Sequence, residues 1–235
     1  MHSTPSVVVF DVNETLSDMA GMLRRFADVG APEHLARTWF SGLLRDGFAL
    51  AASGGSAEFA VIGRELLDVL LAGLPLSRSH DDAVDHIISG LAELDLYTDV
   101  ADGVRSLKDS GYRIVTLSNG SANVARSLLT RAGIGGYFED MLSVEDASAW
   151  KPARAAYEYA ADACGVSPDA MVLVAVHPWD IHGAAHAGMC TAWLNRRGEP
   201  YPSYFAEPNY TVGSVGELVV ALNHPSGIRA TNASL

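Results

Sequence analysis

Residues 7–16 read Val7-Val8-Val9-Phe10-Asp11-Val12-Asn13-Glu14-Thr15-Leu16, and this stretch decides the fold. Four consecutive apolar residues, three of them β-branched, suit a strand covered on both faces. The run stops abruptly at a carboxylate and passes into a polar, turn-forming cluster. A strand of this kind belongs to a parallel sheet, and in such sheets ligands bind beyond the carboxyl ends of the strands. Asp11 is therefore the first candidate for chemistry.

Similar runs return at 113–117 (RIVTL), 171–176 (MVLVAV) and 191–194 (TAWL), separated by stretches with helical spacing. That alternation predicts parallel βα units. Helices over 100–110, 122–132 and 153–164 stop at Gly111, Gly133 and Gly165, where a left-handed residue closes a helix. Between the first strand and residue 98 the pattern differs. Helices over 19–29, 32–50, 57–74 and 81–94 follow one another with no strand among them, punctuated by Pro32 and the AASGGSA loop at 51–57. The expected fold is α/β: a Rossmann-like doubly wound parallel sheet from residues 1–16 and 98–235, with a helical cap of residues 17–97 inserted after the first strand. The tail at 224–235 reads as a frayed end.

The 235-residue chain is 49% apolar, which excludes a disordered protein. Its net charge of −12 argues against nucleic acid or an anionic membrane as partner, since both need a basic patch. A small molecule is the expected partner. If it is an anion, it needs a local cation, and Lys151 is the one to watch. Cys164 and Cys190 stand in neither a CxxC nor a zinc-ligand spacing, so no metal site is expected and reduced, cytoplasmic thiols are the default. The start lacks a signal-peptide pattern, and no apolar run reaches the length of a membrane span.

Polar residues directly after the strands converge on one sheet edge: Asp11, Asn13 and Thr15 after the first, Ser118 and Asn119 after the second, His177 and Asp180 after the MVLVAV strand. Lys151 follows LSVEDASAW. Each has a plainer reading beside the functional one. Asn13 and Thr15 can be turn formers, and Ser118 and Asn119 can cap the helix that starts near Ala122. Lys151 can be a solvated loop lysine and Asp180 a helix cap, while His177 can belong to a structural His–Pro turn. Tyr157 can be a packing residue, as can Trp39 and Phe40. His182 and His186 resemble half a metal site with no third ligand. Convergence favours function for Asp11, Thr15, Ser118, Asn119, Lys151 and Asp180; Tyr157 and His177 stay evenly balanced, Trp39 and Phe40 read as cap packing with Phe40 able to line the cavity, and His182 and His186 as surface or core histidines.

The strings FDVNETL at 10–16, LSNGS at 117–121, KP at 151–152 and the later Asp180 resemble the four motifs of the haloacid dehalogenase superfamily. LSNGS, LSVEDASAWKPARAAYEYA and WLNRRG are similar to its type II, L-2-haloacid dehalogenase branch. The resemblance implies that Asp11 attacks the substrate carbon and forms an ester, which water then hydrolyses. It implies that Thr15 holds the nucleophile, Lys151 keeps it ionised, and Asp180 positions or deprotonates the water. Ser118 and Asn119 would take the substrate carboxylate, with Tyr157 and Val12 as further contacts. It implies no cofactor, a small anionic substrate, and a homodimer as the assembly to test.

Asn13 separates chemistries. Phosphatases of the superfamily carry an aspartate there to protonate the leaving alcohol, and an amide cannot do so; halide needs no proton. Two departures stand out. Phe40 falls where the branch has an arginine that receives halide, leaving Arg37, one turn earlier on the same helical face, as a substitute; Arg45 falls on another face. Ala175 and His177 replace a serine and an asparagine. Three alternatives therefore stay open: another carbon-centred hydrolase, for example a ring-opening one, a magnesium-dependent phosphatase in which Asp11 and Asp180 hold Mg2+, and a silent binding protein.

Overall fold

The computed structural model describes residues 5–147 and 149–223, so the tail at 224–235 lies outside the described residues. In chain order the elements are β1 (Val7–Phe10), α1 (Ala20–Asp28), α2 (Leu35–Ala52), α3 (Phe59–Leu71), α4 (His80–Gly90), α5 (Val100–Asp109), β2 (Arg113–Ser118) and α6 (Ala122–Arg131). They continue with β3 (Asp140–Ser143), α7 (Val144–Ala147), α8 (Arg154–Cys164), β4 (Met171–Ala175), α9 (Pro178–His186), β5 (Cys190–Leu194), β6 (Tyr210–Val212) and α10 (Val215–Asn223).

The sheet is parallel throughout, in the order β3-β2-β1-β4-β5-β6. β1 lies at its centre, with Phe10 beside Thr116 on one side and Val174 on the other. All four of its residues are fully buried, which is why the sequence there shows no polar alternation. β2 leads outward to β3, and the chain then returns to lay β4 on the opposite flank of β1. Asp11 therefore emerges at the point where the strand order reverses, the position at which open α/β sheets form their crevice.

The first four helices after β1 close a ring: α1 packs on α2, α2 on α3, α3 on α4, and α4 back on α1. Each turns an apolar stripe inward, and Met22, Phe26, Trp39, Leu43, Leu67, Leu71 and Ile87 form the shared centre. Trp39 fills it and donates its indole N–H to the Gly63 carbonyl at 2.8 Å. Two adjacent threads connect this ring to the sheet, tied by Tyr97 N–H to the Leu16 carbonyl and Asp18 N–H to the Asp95 carbonyl.

A second tie runs through Trp150. Its indole N–H donates to the Ala57 carbonyl at 2.9 Å, its ring stacks on Phe59, and its edge occupies the space beside Gly47 on α2. A Cβ at position 47 would come within 2.3 Å of that ring, so only glycine admits it.

The structure corrects several boundaries. α2 begins at Leu35 rather than at Pro32, whose carbonyl instead closes the preceding turn onto Leu35 N–H. β3, β6 and α10 were not anticipated; both strands are short and flank the sheet, so neither presents a long apolar run. Gly111, Gly133 and Gly165 all adopt positive φ where helices were expected to stop. Among the described residues, no helix is long and apolar enough to cross a membrane.

Candidate active site

Asp11 follows β1 directly and is almost completely buried. Its carboxylate is held from two sides: Thr15 Oγ1 donates to Oδ2 at 2.6 Å, and Lys151 Nζ donates to Oδ1 at 2.9 Å. Thr15 is itself fixed by Val176 N–H, which donates to its Oγ1 at 3.1 Å, so the loop after β4 sets the nucleophile loop after β1.

Lys151 is wholly buried, an unusual place for a lysine unless it is paired. A second bond runs from Nζ to Asp180 Oδ2 at 2.6 Å, and the ammonium stands between two carboxylates. Burial pulls the lysine pKa down, but Asp11 and Asp180 together overcome it and hold the group above its ordinary value, hence charged. For Asp180 burial dominates and lifts the carboxyl pKa, against the lowering pull of Lys151.

Asp180 lies in the first turn of α9; the N-cap position belongs to His177, with Pro178 as the first helical residue. It is fully buried and both oxygens are committed, Oδ2 to Lys151 and Oδ1 to the Tyr157 hydroxyl, which donates at 2.7 Å. The Tyr157 hydroxyl is on Asp180, and burial raises its pKa well above 10, so it stays a donor. Gly183 makes this reach possible, because a Cβ there would come within 2.5 Å of the tyrosine oxygen.

Ser118 and Asn119 are close by but engaged. Asn119 clasps the Lys151 backbone, accepting its N–H at 2.9 Å and donating to its carbonyl at 3.3 Å. Ser118 Oγ accepts Gly120 N–H. Neither caps α6; Ser121 does. Ser118 and Val12 line a small cavity of about 60 Å³ with Asn13 and Phe59, which separates them from Phe40, Arg37 and His177.

Those three line a larger cavity of about 410 Å³, together with Glu14, Trp179 and Tyr97. Arg37 is exposed at its wall and makes no ion pair among the described residues, whereas Arg45 pairs with Asp46 away from it. His177 stacks on Trp179 at 5.0 Å and lies 6.5 Å from the Phe40 ring. Its Nε2 is 4.0 Å from Asp11 Oδ2, so the histidine wall of the cavity borders the nucleophile.

Two site residues escaped the sequence reading. Glu14 takes a left-handed backbone, φ 63°, and sets its carboxylate 3.5 Å from His177 Nε2. Arg196 makes a two-pronged contact with Asp99, stacks on Tyr97, and donates to the Thr15 carbonyl at 2.9 Å. The WLNRRG string contains Arg196, but nothing in it points to Thr15. His182 and His186 are packed together, with His182 Nδ1 accepting Ala206 N–H, and no cluster of three metal-ligating side chains occurs among the described residues. All four oxygens of Asp11 and Asp180 already accept from Lys151, Thr15 or Tyr157, which leaves a poor site for Mg2+ between them.

Comparison with known proteins identifies the family and its relatives. The family model described as haloacid dehalogenase-like hydrolase matches residues 5–188. (S)-2-haloacid dehalogenase 4A of Burkholderia cepacia is 31% identical over 212 residues, 89% of this chain and 91% of that protein. The crystal structure of a dehalogenase with an intermediate complex superposes with a TM-score of 0.84 at 29% identity, covering 93% of this chain and 97% of its own. L-2-haloacid dehalogenase from Xanthobacter autotrophicus with chloropropionic acid covalently bound shares the fold, with a TM-score of 0.84 at 22% identity over 96% of this chain and all of that one.

Proposed function

Since the chain belongs to the haloacid dehalogenase-like hydrolases, in their L-2-haloacid dehalogenase branch, we propose that it hydrolyses carbon–halide bonds, converting a small 2-haloacid to a 2-hydroxy acid through an ester on Asp11. The observation that carries this reading is the Lys151 ammonium held at 2.9 Å from Asp11 Oδ1. A carboxylate so placed is fixed in direction beside a positive charge, as suits a nucleophile toward carbon. Asp11 attacks the carbon bearing the halide, the carbon–halogen bond breaks, and water then cleaves the ester at the Asp11 carbonyl.

Thr15 orients the nucleophile, and Asp180 with Tyr157 holds the lysine. Residues 17–97 serve as a cap over the sheet of residues 1–16 and 98–235, placing Arg37 and Phe40 opposite Asp11 and His177. Arg37 supplies the positive charge that an anionic substrate needs in an acidic protein. The reaction requires no metal, because halide leaves without protonation and Lys151 already sets a positive charge beside the nucleophile.

Single-turnover hydrolysis in heavy-oxygen water tests the route. Label appears first in Asp11 if the ester forms, and halide release continues in chelator. Label entering the product directly, or strict dependence on magnesium, defeats the reading. A second reading, another carbon-centred hydrolase such as a ring-opening one, is favoured by Phe40 standing against His177 where the branch carries an arginine. It predicts no chloride from any short haloacid, with an adduct on Asp11 from a different electrophile.

A further inference from the structure

We infer that His177, assisted by Glu14, is the base that activates water for cleavage of the Asp11 ester; this rests on the ester route proposed above. The water must reach the Asp11 carbonyl carbon with a proton acceptor beside it. Asp180 is fully buried and already accepts a hydrogen bond on each oxygen, one from Lys151 and the other from Tyr157. His177 is the titratable group that both borders the large cavity and approaches the nucleophile.

The distances suit a water between them. From His177 Nε2 to Asp11 Oδ2 is 4.0 Å, too long for a direct hydrogen bond. It matches a single water bonded to both at about 2.8 Å each. The imidazole cannot swing freely, since its ring is stacked on Trp179 and backed by Phe40. The Glu14 carboxylate stands 3.5 Å from the same nitrogen, where it stabilises the imidazolium that forms when a proton arrives. Glu14 adopts its left-handed backbone to put the carboxylate there, a conformation unfavourable for a non-glycine residue. Such strain at the edge of a nucleophile loop is the kind retained where it places a side chain.

In the proposed step the water oxygen bonds to the Asp11 carbonyl carbon while one of its protons passes to His177 Nε2. The tetrahedral species collapses, the bond from that carbon to the substrate oxygen breaks, and the leaving alkoxide takes the proton back from His177. Asp11 is left as a carboxylic acid that loses its proton to solvent, so the turnover as a whole yields hydroxy acid, halide and one proton. His177 is then a catalytic residue and Glu14 a positioning residue.

The test is step-resolved turnover of (S)-2-chloropropanoate, reading halide by rapid quench and the Asp11 adduct by intact-protein mass spectrometry. His177→Asn is expected to release one equivalent of chloride per active site in a burst and then stall, with the adduct persisting and steady turnover down by about 10²–10⁴-fold. His177→Ala should stall likewise and resume on addition of free imidazole. Glu14→Gln should slow adduct decay while sparing the burst, and Glu14→Asp should recover part of the loss. Steady turnover by His177→Asn at the wild-type rate overturns the assignment, as does loss of its burst in protein that remains folded. A wild type that never carries an adduct removes the ester route itself, which is a different failure from a wild type with an adduct and an indifferent His177.

Discussion

The Tyr157 hydroxyl reaches Asp180 Oδ1 at 2.7 Å by passing over Gly183, and it is the only side chain besides Lys151 that hydrogen-bonds this carboxylate among the described residues. Tyr157→Phe strips one oxygen of a buried carboxylate of its donor. A buried group left unsatisfied costs about 1–3 kcal/mol. The expected outcome is a lower Tm and a lower kcat with KM nearly unchanged, since Tyr157 does not line the cavity. Gly183→Ala should give the same pattern by pushing the hydroxyl away; a change confined to KM in either variant contradicts this placement.

Lys151 is one cation between two buried anions. Lys151→Met leaves Asp11 and Asp180 facing each other without it, and breaking a buried pair costs roughly 3–5 kcal/mol. Thermal unfolding should show a large drop and halide release should vanish. Adding Asp180→Asn to that variant should return part of the stability and none of the activity, measured by denaturation and chloride assay in parallel.

Arg37 has no ion-pair partner to lose among the described residues, so Arg37→Leu should leave Tm within error. If the arginine holds the substrate charge, KM for a haloacid rises by about 10- to 100-fold, the value of a charge-assisted contact. Phe40→Arg restores a cation at the cavity wall and should lower KM in the Arg37→Leu background. Unchanged KM across this series would place the substrate carboxylate elsewhere.

Alkaline stability carries a readable signature. Burial pushes the Cys190 thiol up to about 11 from an ordinary 9.0. Its folded-state pKa is therefore above its unfolded one, so the stability it contributes is fully present below pH 9 and is lost as pH rises through about 11. Tm should fall across that window, and Cys190→Ala should flatten the fall. At pH 8 the native protein should react slowly with iodoacetamide and the unfolded protein quickly.

Much of this molecule is legible in its sequence because burial on both faces leaves a direct mark: VVVF, RIVTL, MVLVAV and TAWL each read as strands, and all four are. β3 and β6 are short and flank the sheet, so they lack that mark. Asp11, Thr15 and Lys151 could be singled out because they follow strands or match a motif. Their bonding could not. Asn119 can be singled out in a string, but its clasp on the Lys151 backbone, a relation between residues 32 positions apart, cannot. Glu14 stayed hidden because a positive φ on a glutamate has no compositional sign, and Arg196 because its target is a backbone carbonyl, identical in every residue.

Trp150 against Gly47 has a bearing on anyone who would reshape this protein. The residue next to the buried lysine reaches across to a helix of the inserted ring, and its seat exists only because position 47 carries no side chain. Libraries aimed at new substrates can explore Ser41 and Leu44 on the same helix, which border the large cavity. A change at position 47 would instead register as a dead enzyme and be scored as a lost catalytic group, although nothing at that position ever meets the substrate. Sparing Gly47 and Gly183 protects the machinery at no cost in diversity.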